Sequence, residues 1–261
     1  MLETYLKDRL RERGILLMTH IVVGYPSMED SFRIVQAMVE AGVDLMELQI
    51  PFSEPIADGP VILRANQEAL AAGVTVKMCL DFASEVSRSF PIPFLFMSYY
   101  NILFKYGVER FATAMAERNL KGAIVPDLPP EEAGEYLPSM EAHGLSPVFI
   151  FSPNTRDERM RAIASLGRGF IYCVARKGVT GLDTHFTGQL EEYLARCRRA
   201  TDLPLALGFG VKDREDVEFL RGKADIAVIG TQTIRLMDEG GIGAVGDFIR
   251  GLVLHQFHSA G

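Results

Sequence analysis

Residues 45–50 read Leu-Met-Glu-Leu-Gln-Ile and are followed by the loop Pro51–Pro60. Successive side chains of a β-strand point to opposite faces, so Leu45, Glu47 and Gln49 share one face of this run. The other face is entirely apolar. This pattern predicts a strand with one face packed against apolar neighbours and a carboxylate on the opposite face.

Short apolar runs of this kind recur along the chain and alternate with longer segments of helical period. The predicted strands are Leu16–Val23, Leu45–Ile50, Pro93–Ser98, Ala123–Val125, Pro147–Phe151, Phe170–Ala175, Leu205–Leu207 and Ile226–Ile229. Among the helical segments, Met28–Ala41 follows Ser27, a residue type that caps helices. Proline at the first turn of two segments and glycine after four others mark further helix ends. These residues are Pro60, Pro130, Gly42, Gly73, Gly122 and Gly144.

Eight strand–helix units in 261 residues predict an α/β fold, a (β/α)8 TIM barrel, as a single domain over residues 1–261. An additional N-terminal helix, Leu2–Arg13, is expected to cover the bottom of the barrel. An open doubly wound sheet is the competing arrangement, but no Gly-x-Gly-x-x-Gly follows the first strand. Because helices cover the outside of a barrel, the apolar face of residues 45–50 belongs outward and Glu47 points into the interior.

The composition argues against several classes of function. A net charge of -7 disfavours nonspecific binding to nucleic acid or to an anionic membrane. No apolar stretch approaches the roughly 18 residues of a membrane span, and the charged N-terminus does not resemble a signal peptide. The few, widely spaced cysteines (Cys79, Cys173 and Cys197) indicate a reducing cytoplasm. Neither they nor the five histidines have metal-ligand spacing, so no metal is expected.

Two carboxylates lie where a barrel places its chemistry, at the carboxyl end of a strand and in the loop after it. Inside the barrel Glu47 is hard to ionise, which suits a group that both gives and takes a proton near neutral pH. A structural glutamate, hydrogen-bonded inside the barrel, is the alternative. The loop adds Asp58, although Asp-Gly-Pro can also be a simple turn before a helix.

Glycines end the last two predicted strands, at Gly208-Phe-Gly210 and at Gly230-Thr231. The second is followed by the short helical run Gln232–Met237, and Gly178 and Gly181 follow the sixth strand. Glycine lets backbone N–H groups approach an anion, and a helix N-terminus adds partial positive charge. Since barrels often bind phosphate at this place, the pattern predicts a phosphorylated substrate.

The segment Glu47–Pro60 closely resembles the signature of the tryptophan synthase alpha subunit. Five further motifs match that family in the same order along the chain: Gly24-Tyr-Pro26, Asp127-Leu-Pro129, Gly167-Arg-Gly169, Arg176-Lys-Gly-Val-Thr-Gly181 and Gly208-Phe-Gly210. The resemblance implies retro-aldol cleavage of indole-3-glycerol phosphate to indole and glyceraldehyde 3-phosphate. It makes Glu47 the general acid/base and Asp58 the partner of the indole N–H. Tyr172 would pack beside the reacting bond, although a tyrosine inside a barrel can also be plain core.

The resemblance also assigns binding residues and a partner. Substrate and phosphate would be held by Thr180, Gly181, Gly210, Gly230 and Thr231, with the loop Arg176–Gly181 closing over the ligand. The subunit would need no cofactor, since pyridoxal phosphate belongs to the beta subunit that receives the indole. A heterotetramer of two alpha and two beta chains is implied. Its interface on this chain would include Glu54, Pro55 and Asn101.

Three residues depart from the family pattern. Gln49 stands where glycine is usual, His20 replaces an aromatic or apolar residue, and Thr231 replaces serine. The first two face inward and could hydrogen-bond to each other or to Glu47, or could change the substrate. The sequence leaves three alternative hypotheses. The chain could be another phosphate-binding barrel, such as indole-3-glycerol phosphate synthase or phosphoribosylanthranilate isomerase. It could also be a standalone indole-releasing lyase, or a ligand-binding subunit that mainly activates its partner.

Overall fold

The computed structural model describes residues 1–175, 184–208 and 210–254. Within these ranges the strands are β1 Leu16–Val22, β2 Leu45–Gln49, β3 Phe94–Met97, β4 Gly122–Ile124, β5 Ser146–Val148, β6 Ile150–Phe151, β7 Ile171–Val174, β8 Leu205–Gly208 and β9 Ile226–Ile229. The helices are α1 Leu2–Arg13, α2 Met28–Glu40, α3 Pro60–Ala71, α4 Val76–Ser89, α5 Tyr100–Tyr106, α6 Val108–Glu117, α7 Tyr136–Ala142, α8 Asp157–Leu166, α9 Thr184–Ala200, α10 Arg214–Leu220 and α11 Thr231–Leu254. A short 3-10 helix spans Pro130–Glu132.

The strands form one parallel sheet in the order β5-β4-β3-β2-β1-β9-β8-β7-β6. The two ends of this order, β5 and β6, are separated along the chain by Phe149 alone, whose carbonyl accepts a hydrogen bond from the N–H of Tyr172 at 2.9 Å. They therefore occupy one strand position, and the sheet closes into the predicted (β/α)8 barrel. The predicted strand Pro147–Phe151 is divided at Phe149 and begins one residue earlier, at Ser146, and the ends of the other seven differ by no more than one residue.

Two apolar layers surround the sheet. The outward side chains of β2, Met46 and Leu48, join the large core between the strands and the helices. Leu45, from the other face, joins a smaller cluster inside the barrel together with Leu2 and Leu6 of α1. The predicted N-terminal helix therefore closes the bottom of the barrel, and the predicted assignment of the two faces of β2 is confirmed.

Most of the predicted helix ends are confirmed. The hydroxyl of Ser27 accepts a hydrogen bond from the N–H of Asp30 at 3.0 Å, and Pro60 begins α3. Gly42, Gly73 and Gly144 have positive φ after their helices.

The predicted cap at Gly122 is wrong, because Asn119 takes the left-handed conformation after α6, with φ 59°. Gly122 instead begins β4, where a Cβ atom would lie 2.2 Å from the carbonyl oxygen of Ser146. Gly122 is therefore required here for its small size, because the close approach of β4 and β5 leaves no room for a side chain.

The helix after the last strand is longer than predicted. The run Gln232–Met237 lies within α11, which continues to Leu254 but is interrupted at Gly241, with φ 69° and ψ -168°. The part before Gly241 corresponds to the short helix predicted after the last strand. In the part after it, Gly246 faces α2, where a Cβ atom would lie 3.8 Å from that of Ala37. No helix in the described ranges combines the length and the apolar character required to cross a membrane.

Candidate active site

Glu47 lies on the inner face of β2 and is 3% exposed. Its neighbour across the β1–β2 ladder is His20, and the Nδ1 atom of His20 lies 3.1 Å from Glu47 Oε1. Burial would lower the pKa of His20, but the hydrogen bond and charge of Glu47, followed by the charge of Asp58 and a contribution from Gln49, raise it above its ordinary value. The carboxylate and the imidazole thus form one buried, hydrogen-bonded pair.

Asp58 is held in place by two side chains. Gln49 Nε2 donates to Asp58 Oδ2 at 2.6 Å, and the Tyr99 hydroxyl donates to the same oxygen at 3.1 Å. Burial raises the pKa of Asp58, and the negative charge of Glu47 adds to this effect. The charge of His20 and the two hydrogen bonds act in the opposite direction. Asp58 is therefore a positioned acceptor and more than a turn residue.

The loop that carries Asp58 is fastened to the barrel at two further points. The N–H of Ala57 donates to the Tyr99 hydroxyl at 3.1 Å, and the N–H of Phe52 donates to Asn66 Oδ1 at 2.9 Å. The rings of Phe52 and Tyr99 stack with their centroids 5.0 Å apart. These contacts fix the loop relative to β2, β3 and α3, and with it the separation of the two carboxylates.

Sequence reasoning missed Tyr99 and Asn66. Tyr99 follows β3 at the carboxyl end of the barrel, a position that could have marked it. Asn66 is a buried polar residue between the apolar Ala65 and Ala69 on the inner side of α3, which is the other available signal.

Tyr172 points into the barrel from β7, as predicted, and packs against the inner cluster. Burial raises its pKa well above the ordinary value, and the charges of Glu47 and Asp58 add to this effect. A Cβ atom on Gly208 would lie 2.9 Å from the Tyr172 hydroxyl oxygen, so glycine at the end of β8 makes room for this ring. The structure therefore brings Tyr172 to the side of the barrel that holds both carboxylates.

The predicted phosphate residues are only partly described. Gly230 follows β9 directly, and Thr231 is the first residue of α11. Gly210, with φ 89°, lies after β8 and is exposed. Thr180 and Gly181, together with the rest of the loop Arg176–Gly181, fall outside the described residues. The described part presents two strand ends and one helix N-terminus, an arrangement able to bind an anion.

The three predicted interface residues lie at the same end of the barrel. Glu54 in the loop after β2 and Asn101 in α5 are exposed, whereas Pro55 is buried within this chain. Two large apolar side chains near them are also exposed, Ile56 at 79% and Phe104 at 66%. Sequence patterns did not single out these two residues.

In the ranges that the structure covers, no three His, Cys, Asp or Glu side chains group in a way that could hold a metal ion. The described side chains brought together at this site are two carboxylates (Glu47 and Asp58), the imidazole of His20, the amide of Gln49 and the phenols of Tyr99 and Tyr172.

Comparison with known proteins adds an independent line of evidence. The family model described as "Tryptophan synthase alpha chain" matches residues 6–248. The tryptophan synthase alpha chain of Syntrophotalea carbinolica is 66% identical, over 97% of this chain and 100% of its own length. That of Desulforapulum autotrophicum is 63% identical over the same shares.

A solved structure of tryptophan synthase from Mycobacterium tuberculosis superposes with a TM-score of 0.89 at 31% identity, covering 97% of this chain and 96% of that one. The fold, the two carboxylates and the full-length matches agree with one another. The chain belongs to the tryptophan synthase alpha chain family.

Proposed function

We propose that Glu47 is the general acid/base for the reaction of this family, the cleavage of indole-3-glycerol phosphate to indole and glyceraldehyde 3-phosphate. The observation that carries this role is the burial of its carboxylate on the inner face of β2, beside a hydrogen-bonded imidazole. As an acid it protonates C3 of the indole. As a carboxylate it then takes the proton of the side-chain hydroxyl next to the breaking bond, and the aldehyde forms.

Asp58, in this proposal, accepts the indole N–H and stabilises the positive charge that develops on the ring when C3 is protonated. Its hydrogen bonds from Gln49 and Tyr99 support this role, because they fix one carboxylate oxygen, while no described residue donates to the other. Tyr172 packs beside the reacting bond. Its ring is partly buried on the side of the barrel that holds both carboxylates, so it restricts how the indole can lie.

The phosphate of the substrate is assigned to the glycine-rich ends of β8 and β9. The N-terminus of α11 at Gly230 and Thr231 supports this assignment, since its N–H groups and partial positive charge favour an anion. Gly210 contributes backbone N–H from the other strand end. Thr180 and Gly181 are proposed to complete the site from the loop after β7.

A beta subunit is the proposed partner, in a heterotetramer of two alpha and two beta chains. The proposed contact is the face around Pro55 on which Glu54 and Asn101 are exposed. The exposure of Ile56 and Phe104 supports this face, because apolar side chains of this size gain most from being covered. The beta chain would supply the pyridoxal phosphate chemistry, and no step on this chain requires a cofactor.

We also propose one barrel domain over residues 1–261 and a cytoplasmic location. The single closed sheet supports the first proposal, and the free thiols of all three cysteines support the second, since they suit a reducing compartment.

The proposed reaction is tested by measuring indole released from indole-3-glycerol phosphate, with and without a beta subunit. We expect release by the isolated chain and stimulation by the beta subunit. Release without stimulation would favour a standalone lyase. No release in either case would leave a ligand-binding subunit that activates its partner, and would contradict the proposal.

A further inference from the structure

His20 and Glu47 are adjacent on β1 and β2, and both side chains are almost completely buried, each 4% exposed. They are the imidazole and carboxylate whose atoms lie 3.1 Å apart. A buried ionised carboxylate is costly unless it is paired, and so is a buried imidazolium. One proton between the two groups removes this cost, because the pair is then either neutral or an ion pair.

The groups around His20 favour its protonated form. Glu47 faces it from β2 and Asp58 from the following loop, and the negative charge of each carboxylate raises the pKa of His20. Tyr172 approaches the same two carboxylates from β7. On the β9 side the neighbour is the uncharged Gly230, where a Cβ atom would lie 3.5 Å from that of His20. The charges that act on the imidazole therefore come from the two proposed catalytic carboxylates.

Gln49 connects the same pair to Asp58. Its amide nitrogen donates to Asp58, while its oxygen Oε1 and the Nε2 atom of His20 are buried and have no hydrogen-bond partner among the described residues. These two atoms are complementary, since a protonated imidazole has an N–H at Nε2 and the amide oxygen is an acceptor. A small movement of either side chain would link Glu47, His20, Gln49 and Asp58 in one network.

We propose that His20 and Glu47 work as a single proton-sharing pair, in which His20 is a positioning residue that supplies the proton Glu47 gives to the indole ring. This inference rests on the proposed acid/base role of Glu47. It goes beyond that role by assigning a function to the histidine beside Glu47.

The proton balance of one turnover closes on the pair. The Nδ1 proton of His20 passes to the carboxylate of Glu47, and the carboxylic acid then protonates indole C3. The bond between C3 and the side-chain carbon then breaks, and its electron pair passes into the protonated ring, which becomes neutral indole. The hydroxyl proton returns to Glu47 as the aldehyde forms, and from there to His20. The pair ends with the single proton with which it began.

The pair can be tested without turnover by following the imidazole signal of His20 with pH by NMR. Comparison with His20→Phe assigns the signal among the five histidines. We expect Glu47→Gln to lower the pKa of His20 by roughly one to three units, the range for loss of an adjacent opposite charge. An unchanged titration would show that the two groups do not share a proton and would overturn the inference, whatever the catalytic activity.

The second test is the pH profile of kcat for indole release, in the wild type, His20→Phe and His20→Gln. Glutamine keeps a polar side chain of similar size but does not titrate. The His20→Gln variant therefore carries the test if His20→Phe fails to fold. The pair loses its proton only as the pH rises through the raised pKa of His20. Both variants lack this proton, so they should lose activity at lower pH than the wild type. Each unit of displacement lowers kcat about tenfold on the alkaline side.

Thr19→Val is the matched control. Thr19 is the buried neighbour of His20 on β1, its hydroxyl has no partner in the described part of the chain, and the change keeps its shape. We expect its alkaline limb to coincide with that of the wild type. If the limbs of all the His20 variants also coincide with it, while the wild type remains active, His20 is only a packing residue. An inactive wild type would instead refute the proposed function and would leave the NMR result to decide the pair.

Discussion

Gln49 Nε2 donates a hydrogen bond of 2.6 Å to Asp58 Oδ2, which joins the inner face of β2 to the loop that follows it. A glycine at position 49 would have no side chain to make this bond. In this chain the amide of Gln49 therefore shares with the Tyr99 hydroxyl the task of holding one oxygen of Asp58. It also lowers the pKa of Asp58 against the larger effect of burial.

Replacement of Gln49 by methionine should expose this contribution. Gln49→Met keeps the size of the side chain but removes its donor, so the pKa of Asp58 rises further. Asp58 must be ionised to stabilise positive charge. On acidification the variant should therefore lose activity at a higher pH than the wild type does. The acidic limb of kcat against pH reports this change. Met46→Leu, on the outer face of the same strand, is the control and should leave the acidic limb unchanged. An acidic limb that Gln49→Met also leaves unchanged would contradict the role of Gln49 in keeping Asp58 ionised.

Tyr99→Phe removes the donor to Asp58 and the acceptor of the Ala57 N–H but retains the ring that stacks on Phe52. A hydrogen bond to a charged group contributes about 1.5–3 kcal/mol, which corresponds to roughly a tenfold to hundredfold change in kcat/KM. We expect a loss in this range, measured by steady-state indole release. Tyr100→Phe, whose ring packs towards Phe104 instead, should stay near the wild type. Equal effects of the two changes would argue against a specific role of Tyr99.

Gly208→Ala tests the room that β8 leaves for Tyr172. The added Cβ would lie 2.9 Å from the phenol oxygen, so the ring must move within a packed interior. We expect lower kcat and higher KM for indole-3-glycerol phosphate. Gly188→Ala in α9 is the matched control, since a Cβ atom there has nothing within 4 Å and alanine favours a helix. Wild-type kinetics for Gly208→Ala would show that the position of Tyr172 is unimportant.

Asp44→Ala should separate stability from catalysis. The Asp44 side chain is 0% exposed, pairs with Arg9 at 3.0 Å and with Arg13 at 3.4 Å, and accepts the N–H of Leu17 at 3.0 Å. Removing one partner of such a buried network costs about 3–5 kcal/mol. The urea midpoint of unfolding should fall accordingly, while kcat stays unchanged because Asp44 lies at the opposite end of β2 from the site. A loss below about 1 kcal/mol would mean that α1 is held mainly by its apolar contacts.

The positions of the strands and the orientation of Glu47 could be predicted from sequence because both depend on local periodicity. Alternation along Leu45–Gln49 was enough to place one carboxylate inside the barrel. The hydrogen-bond partners could not be predicted in this way. The sequence places His20 and Gln49 on inward faces near Glu47 but does not decide their partners. The register of β1 on β2 sets His20 beside Glu47, and the path of the loop after β2 brings Asp58 to Gln49.

Residues outside any local pattern were missed for the same reason. Tyr99 and Asn66 reach the loop from β3 and α3, and such contacts depend on how separate elements pack. Gly122 shows the reverse error, since a glycine after a helix suggested a cap. Its small size is instead required by a neighbouring strand, and the sequence near a residue does not report what packs against it from elsewhere in the chain.

The central claim is that Glu47 performs the proton transfers, and Glu47→Gln tests it most directly. The change preserves size and hydrogen bonding, so binding and folding should persist. Single-turnover indole release from indole-3-glycerol phosphate, in the presence of a beta subunit, isolates the chemical step. We predict that the rate constant falls roughly 10²–10⁴-fold with substrate affinity little changed, and a variant that releases indole at nearly the wild-type rate would contradict this account.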